Sequence, residues 1–224
     1  MARAHGTRPE ERISIGWLRL VDVLYSRIYH HVDVQSPCPL PRTGAGILVC
    51  NHISGLDPVL IQSVCPRLIV WMMAEEYASL PLLGPLFKAI HTIPVHRKGQ
   101  DLAATRQALR ALQSGFVLGI FPEGKIETGA GLLPFQPGVA MIAQRTGLPV
   151  YPAYIDGTSR GVEMPDVYLR RQEIKIWFGE RFLVKSEQML DNSVETIRNE
   201  IANLGNVRNR QKATIFPLPR GTSG

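Results

Sequence analysis

Six short strand-like segments constrain this chain more than any other feature: residues 46–50, 68–72, 92–95, 116–121, 150–155 and 173–178. The apolar runs 46–50 and 116–121 read as buried strands, and the others as strands of the same length. Helix-periodic stretches lie between and after them, at 58–64, 82–90, 101–114, 138–145 and 194–204. Asp57 caps the first of these and Pro58 opens it, while Gly115 and Gly147 stop the third and fourth. Pro94 marks its strand as an edge, because proline cannot donate to a ladder. Strands alternating with helices predict an α/β fold, a mostly parallel central sheet flanked by helices.

The 224 residues fit one domain, and 45% hydrophobic content allows a sizeable core. Three cysteines, with no CxxC pair, exclude a disulfide scaffold and a four-cysteine zinc site, and no metal is implied. A reducing compartment is expected. The formal charge of +6 suits an anionic partner. No zinc-finger spacing or RNP-type string accompanies that charge, so nucleic acid is not expected. No run reaches the roughly 18 apolar residues of a membrane span, and the start lacks a signal-peptide h-region.

Ahead of the first strand, residues 13–34 follow a helical pattern. Trp17, Val21, Leu24, Ile28 and Val32 recur every three or four residues. Two readings stay open: a helix packed on its own domain, or an interfacial helix lying among lipid headgroups. The Pro-rich stretch 36–41 closes this segment. The expected organisation is an N-terminal segment 1–43, a main domain 44–206 and a basic tail 207–224 carrying Arg208, Arg210, Lys212 and Arg220.

Four segments at strand ends carry candidate chemistry. His52 follows the first strand, and Asp57 lies five residues on. On a continuous helix that step turns about 140° and separates the side chains. Here Gly55 can bend the chain, so a carboxylate at the turn can reach back, fix one ring nitrogen and free the other as a base. A plain helix start beside a surface histidine is the competing reading. Glu123, Gly124 and Lys125 end the 116–121 strand and suggest a polar substrate near the backbone, or simply a turn. His96, Arg97 and Lys98 can hold a phosphate, with Arg97 suited to bidentate contact, or can be a solvated loop. Pro149 precedes the 150–155 strand and Pro152 lies within it, and read locally the two prolines suggest a sheet edge.

The ordered set is more specific than its parts. His52-x4-Asp57 after Asn51, Arg97 about 40 residues later, Phe121-Pro122-Glu123-Gly124, and Leu148-Pro149-Val150-Tyr151-Pro152 together resemble the glycerolipid acyltransferase family over roughly 44–180. Its best-known members are the 1-acylglycerol-3-phosphate acyltransferases. The resemblance implies His52 and Asp57 as the catalytic dyad. It implies acceptor binding by Arg97, Glu123, Gly124 and Lys125, and donor binding around Pro149 and Pro152. Two departures stand out: Ile126 occupies the position of a family arginine and Gln136 that of a family lysine.

The function so implied is transfer of a fatty acyl group from acyl-CoA or acyl carrier protein, as co-substrate with no further cofactor, to a lysophospholipid hydroxyl. The acceptor expected first is 1-acylglycerol-3-phosphate, giving phosphatidic acid. The alternatives are another lysolipid or polar acceptor, or a non-catalytic lipid-binding protein on the same fold. The expected location is peripheral, on the cytoplasmic face of an anionic membrane surface.

Overall fold

The structure, a computed structural model, describes residues 9–78, 90–96, 101–129, 131–161 and 166–215. The six expected strands are present, joined by a seventh. In chain order they are β1 (Val32–Val34), β2 (Gly46–Cys50), β3 (Ile69–Ala74), β4 (Ile93–Val95), β5 (Val117–Ile120), β6 (Val150–Asp156) and β7 (Ile174–Phe178). They form one sheet in the order β1-β7-β6-β2-β5-β3-β4. Every neighbouring pair is parallel except β6 with β7.

Among the described residues the helices are α1 (Pro9–Leu24), α2 (Asp57–Val64), α3 (Glu75–Ala78), α4 (Leu102–Gln113), α5 (Gly138–Thr146) and α6 (Leu190–Ile215). β2 is buried at all five positions because both faces of the sheet are covered. Leu48 and Cys50 face one core cluster, shared with Leu60 and Ile61 of α2. Ile47 and Val49 face the other, shared with Ala108 of α4, Ala140 of α5 and Ile197 of α6. α4 is capped by Asp101, whose side chain accepts from Ala104 N, and α5 stops where Gly147 adopts φ +61°.

The register places the site. Val49 pairs with Ile120 and Cys50 with Ala153, so β2 and β5 end within one residue of each other, while β6 runs on to Asp156. The segments that follow them therefore meet at one edge of the sheet, where ligands of open α/β folds bind.

Three expectations need correction. The helical pattern over 13–34 ends at Leu24, continues as a π-turn (Tyr25–Tyr29), and gives way to β1. His31 at φ +44° reverses the chain, and β-branched Val32 and Val34 then pair with Ile174 and Ile176. His30 thus lies beyond the first helix, buried against Tyr25 and Tyr29. The closing helix runs from Leu190 rather than Val194 and extends to Ile215. The strand of Pro152 is interior, not an edge. Pro152 tolerates this because it sits where the β7 ladder ends: its carbonyl accepts from Gly179 N at 2.9 Å, and its missing N–H costs no inner rung. β4, with Pro94, is an edge as expected. The helix expected over 82–90 falls almost wholly outside the described residues.

α1 is turned opposite to a core-packing helix. Arg19 donates to the carbonyls of Pro66 and Cys65, each at 2.8 Å, and Ser26 is fully buried. The polar stripe therefore faces the domain. Trp17 is 66% exposed and Ile28 67% exposed, and Leu20, Val21 and Leu24 share that open face. No helix among the described residues is long and apolar enough to cross a membrane.

Candidate active site

The loop after β2 turns at once, and the turn brings His52 and Asp57 together. His52 Nδ1 lies 3.0 Å from Asp57 Oδ2. The same oxygen accepts from the backbone N–H groups of Ile53 at 2.8 Å and Ser54 at 2.9 Å. Asp57 is the first residue of α2 rather than its cap, so its carboxylate closes the turn that precedes the helix. Its other oxygen, Oδ1, accepts from the Thr158 hydroxyl at 3.0 Å. Asp57 is wholly buried, and four donors offset the cost of burying its charge.

His52 keeps 16% of its side chain exposed. Its ring stacks on Phe121 at 4.1 Å, and Phe121 stacks on Trp71 at 4.9 Å. Gly119 makes this stack possible. A Cβ there would run into the Trp71 ring and come within 2.7 Å of Ile69 Cγ2. With Nδ1 held by Asp57, Nε2 is the nitrogen available to a substrate.

The third motif holds the loop from the other side. Glu123 Oε1 accepts from His52 N and Oε2 from Leu133 N, both at 2.9 Å. Burial pushes the Glu123 carboxyl above the ordinary carboxylate range, against the lowering effect of those two N–H groups. Gly124 takes φ +69°, a left-handed turn that favours glycine. Lys125 is exposed. Glu127 N donates to His52 O at 2.8 Å, and the buried Glu127 carboxylate pairs with Arg160. Asn51 accepts from Ile155 N at 2.8 Å and donates to Ile155 O at 3.0 Å, pinning the start of the loop to β6. A cavity of about 230 Å³ opens beside this loop, lined in part by Asn51, Ile53, Glu123, Glu127, Arg160 and Arg198.

The structure thus gathers His52, Asp57, Glu123 and Gly124 at one edge. It does not bring Pro149 or Pro152 there. Ile47 N donates to Pro149 O, which puts Pro149 at the opposite end of β2 from His52. Pro152 is buried inside the sheet, level with Val49. Arg97 lies outside the described residues. Sequence reasoning missed Thr158, Glu127 and Arg160. The available signal was the polar block Asp156-Gly157-Thr158-Ser159-Arg160 at the end of a buried strand, the same position that singled out His52.

A histidine held by a buried aspartate at the end of a central strand is an arrangement suited to acid–base chemistry. Sequence comparison supplies the family: the profile described as Acyltransferase matches residues 31–156, more than half of the chain, and the protein belongs to that family.

Named relatives agree. The 1-acyl-sn-glycerol-3-phosphate acyltransferase of Bacillus subtilis is 27% identical over 150 residues, covering 66% of this chain and 72% of that protein. The protein of the same name from Neisseria gonorrhoeae is 31% identical over 133 residues, 57% of this chain and 51% of that one. The Cocos nucifera protein is 33% identical over 115 residues, 50% of this chain and 37% of that one. The chain therefore spans about half or less of these last two relatives. A solved structure, the 1-acyl-sn-glycerophosphate acyltransferase of Thermotoga maritima, matches with a TM-score of 0.70, covering 92% of this chain and 86% of that one. At 19% identity it establishes the shared fold. The protein is an acyltransferase.

Proposed function

We propose that the enzyme transfers a fatty acyl group from a thioester, acyl-CoA or acyl carrier protein, to the free hydroxyl of 1-acylglycerol-3-phosphate, giving phosphatidic acid. The observation that carries this reading is the His52–Asp57 contact, in a chain whose named relatives use that acceptor.

His52 Nε2 takes the acceptor hydroxyl proton while the oxygen attacks the thioester carbonyl. Asp57 holds the ring and stabilises the imidazolium that forms. The new C–O bond forms, the C–S bond breaks, and the proton passes from His52 to the leaving thiolate. A base placed this way contributes about 10²–10⁴-fold. No acyl-enzyme is required. Glu123 keeps the 52–53 loop in register through its bond to His52 N. Gly124 and Lys125, with Arg97, are proposed acceptor contacts. Pro149 and Pro152 lie away from this edge, so any influence on the donor passes through the packing of β6.

Ile126 and Gln136 favour a second reading, a lysolipid acceptor with a less anionic headgroup. Two cations of the family pattern are missing at those positions, and Arg160 is already engaged by Glu127. Thiol release from one acyl-CoA across a panel of lysolipids, with products identified by mass spectrometry, tests both. Highest turnover with 1-acylglycerol-3-phosphate supports the first reading. Preference for a zwitterionic or neutral lysolipid replaces it with the second.

The acceptor is a lipid, and the open apolar face of α1 supports peripheral docking on an anionic membrane surface. Trp17 suits the headgroup region, and the tail after Val207 adds basic residues in sequence.

A further inference from the structure

We propose that Thr158 is a positioning residue for the His52–Asp57 pair, holding the Asp57 carboxylate from the side that His52 does not touch. The proposal rests on the reading of His52 as the base.

Three donors crowd onto Asp57 Oδ2: the His52 ring, Ile53 N and Ser54 N. Held by one oxygen alone, a carboxylate can still turn about its Cβ–Cγ bond, and each turn moves Oδ2 relative to the ring. The hydroxyl of Thr158, 101 residues further along the chain, donates to Oδ1 at 3.0 Å and fixes the carboxylate plane. Threonine suits the task, because a β-branched side chain has few χ1 rotamers and its hydroxyl direction is set by the backbone.

That backbone is itself fixed on each side. Gly157 adopts φ +98°, and a Cβ there would collide with the carbonyl oxygen of Glu173. Ser159 N donates to the Gln172 side chain. Arg160 pairs with Glu127, whose own N–H bonds the His52 carbonyl. Gly161 N donates to Ile53 O at 3.1 Å. The segment 157–161 is thus tied to the catalytic loop at His52 and Ile53, and Thr158 lies buried within it.

The test compares Thr158→Val, which keeps the shape and removes the donor, with Thr158→Ser, which restores the donor. Full-length protein is assayed for thiol release with acyl-CoA and 1-acylglycerol-3-phosphate, and each variant is melted by circular dichroism. Thr158→Val should lower kcat about 10- to 100-fold, the range for losing a hydrogen bond to a charged group, with both KM values within about twofold. Thr158→Ser should recover most of that loss. A folded Thr158→Val with kcat near the wild type overturns the proposal, as does a serine variant no better than valine. If Thr158→Val does not fold, Thr158→Ala against Thr158→Ser carries the same comparison. His52→Ala runs alongside. An active His52→Ala removes the underlying reading, whereas an inactive His52→Ala beside an unimpaired Thr158→Val removes this proposal alone.

Discussion

His52 and Asp57 face each other across a turn, with Nδ1 3.0 Å from Oδ2, and not along a helix. Five residues of continuous α-helix would point them apart. The turn is closed by the carboxylate itself, which binds Ile53 N and Ser54 N before α2 begins. The residue that orients the histidine therefore also shapes the loop that carries it.

Asp57→Asn should accordingly damage more than charge. An amide keeps one acceptor oxygen, and its NH2 group cannot receive the donors that now crowd the carboxylate. We expect kcat to fall by about 10²-fold or more, within the range that general-base catalysis supplies. A melt should show lost stability as well. Steady-state thiol release together with circular dichroism checks both parts.

Gly119→Ala tests the aromatic stack behind the histidine. The added methyl meets Trp71 and Ile69, both in the buried layer beneath Phe121. Overpacking of this kind costs about 1–3 kcal/mol. Urea unfolding should show that loss. Turnover should fall as well, because a displaced Trp71 shifts Phe121 and with it the His52 ring.

Asp22 provides a pH signature away from the site. Burial raises its carboxyl from 3.8 to about 7, opposed by the Ser26 hydroxyl and by Arg19. Its folded-state value lies above the unfolded one, so between those values the folded chain binds more protons. Its contribution to stability therefore falls as pH rises from about 4 to about 7. Asp22→Asn removes this dependence. The stability of the variant relative to the wild type should increase across that window, measured by urea unfolding at several pH values.

The open face of α1 predicts vesicle binding that can be lost without unfolding. Trp17→Glu with Ile28→Glu places two charges on exposed positions, so the melting temperature should hardly move. Sedimentation with anionic vesicles should drop sharply, while turnover on a dispersed acceptor is retained. An intact chain that sediments with no vesicle at all contradicts the peripheral assignment.

Much of this was legible in the sequence because the sheet is buried on both faces. β2 and β5 read as apolar runs, and Gly115 and Gly147 mark helix ends by chemistry that tolerates little else. β1 was not legible, since Val32 also continued a helical spacing, and only pairing with β7 decides for strand. α1 misleads in a different way. Its apolar stripe obeys the helical period, but Arg19, which bonds the carbonyls at the end of α2, turns the stripe outward. Within the site, His52 and Asp57 were readable because they are close in sequence. Thr158 and Arg160 reach the loop only through the register of β6 on β2, a relationship that spacing along the chain does not encode.

The central claim is that His52 is the base. The most direct measurement is thiol release from acyl-CoA in the presence of 1-acylglycerol-3-phosphate by His52→Ala, purified at full length and shown by circular dichroism to melt as the wild type does. That role predicts turnover reduced by about 10²–10⁴-fold. Turnover by the folded variant within a few-fold of the wild type would contradict it.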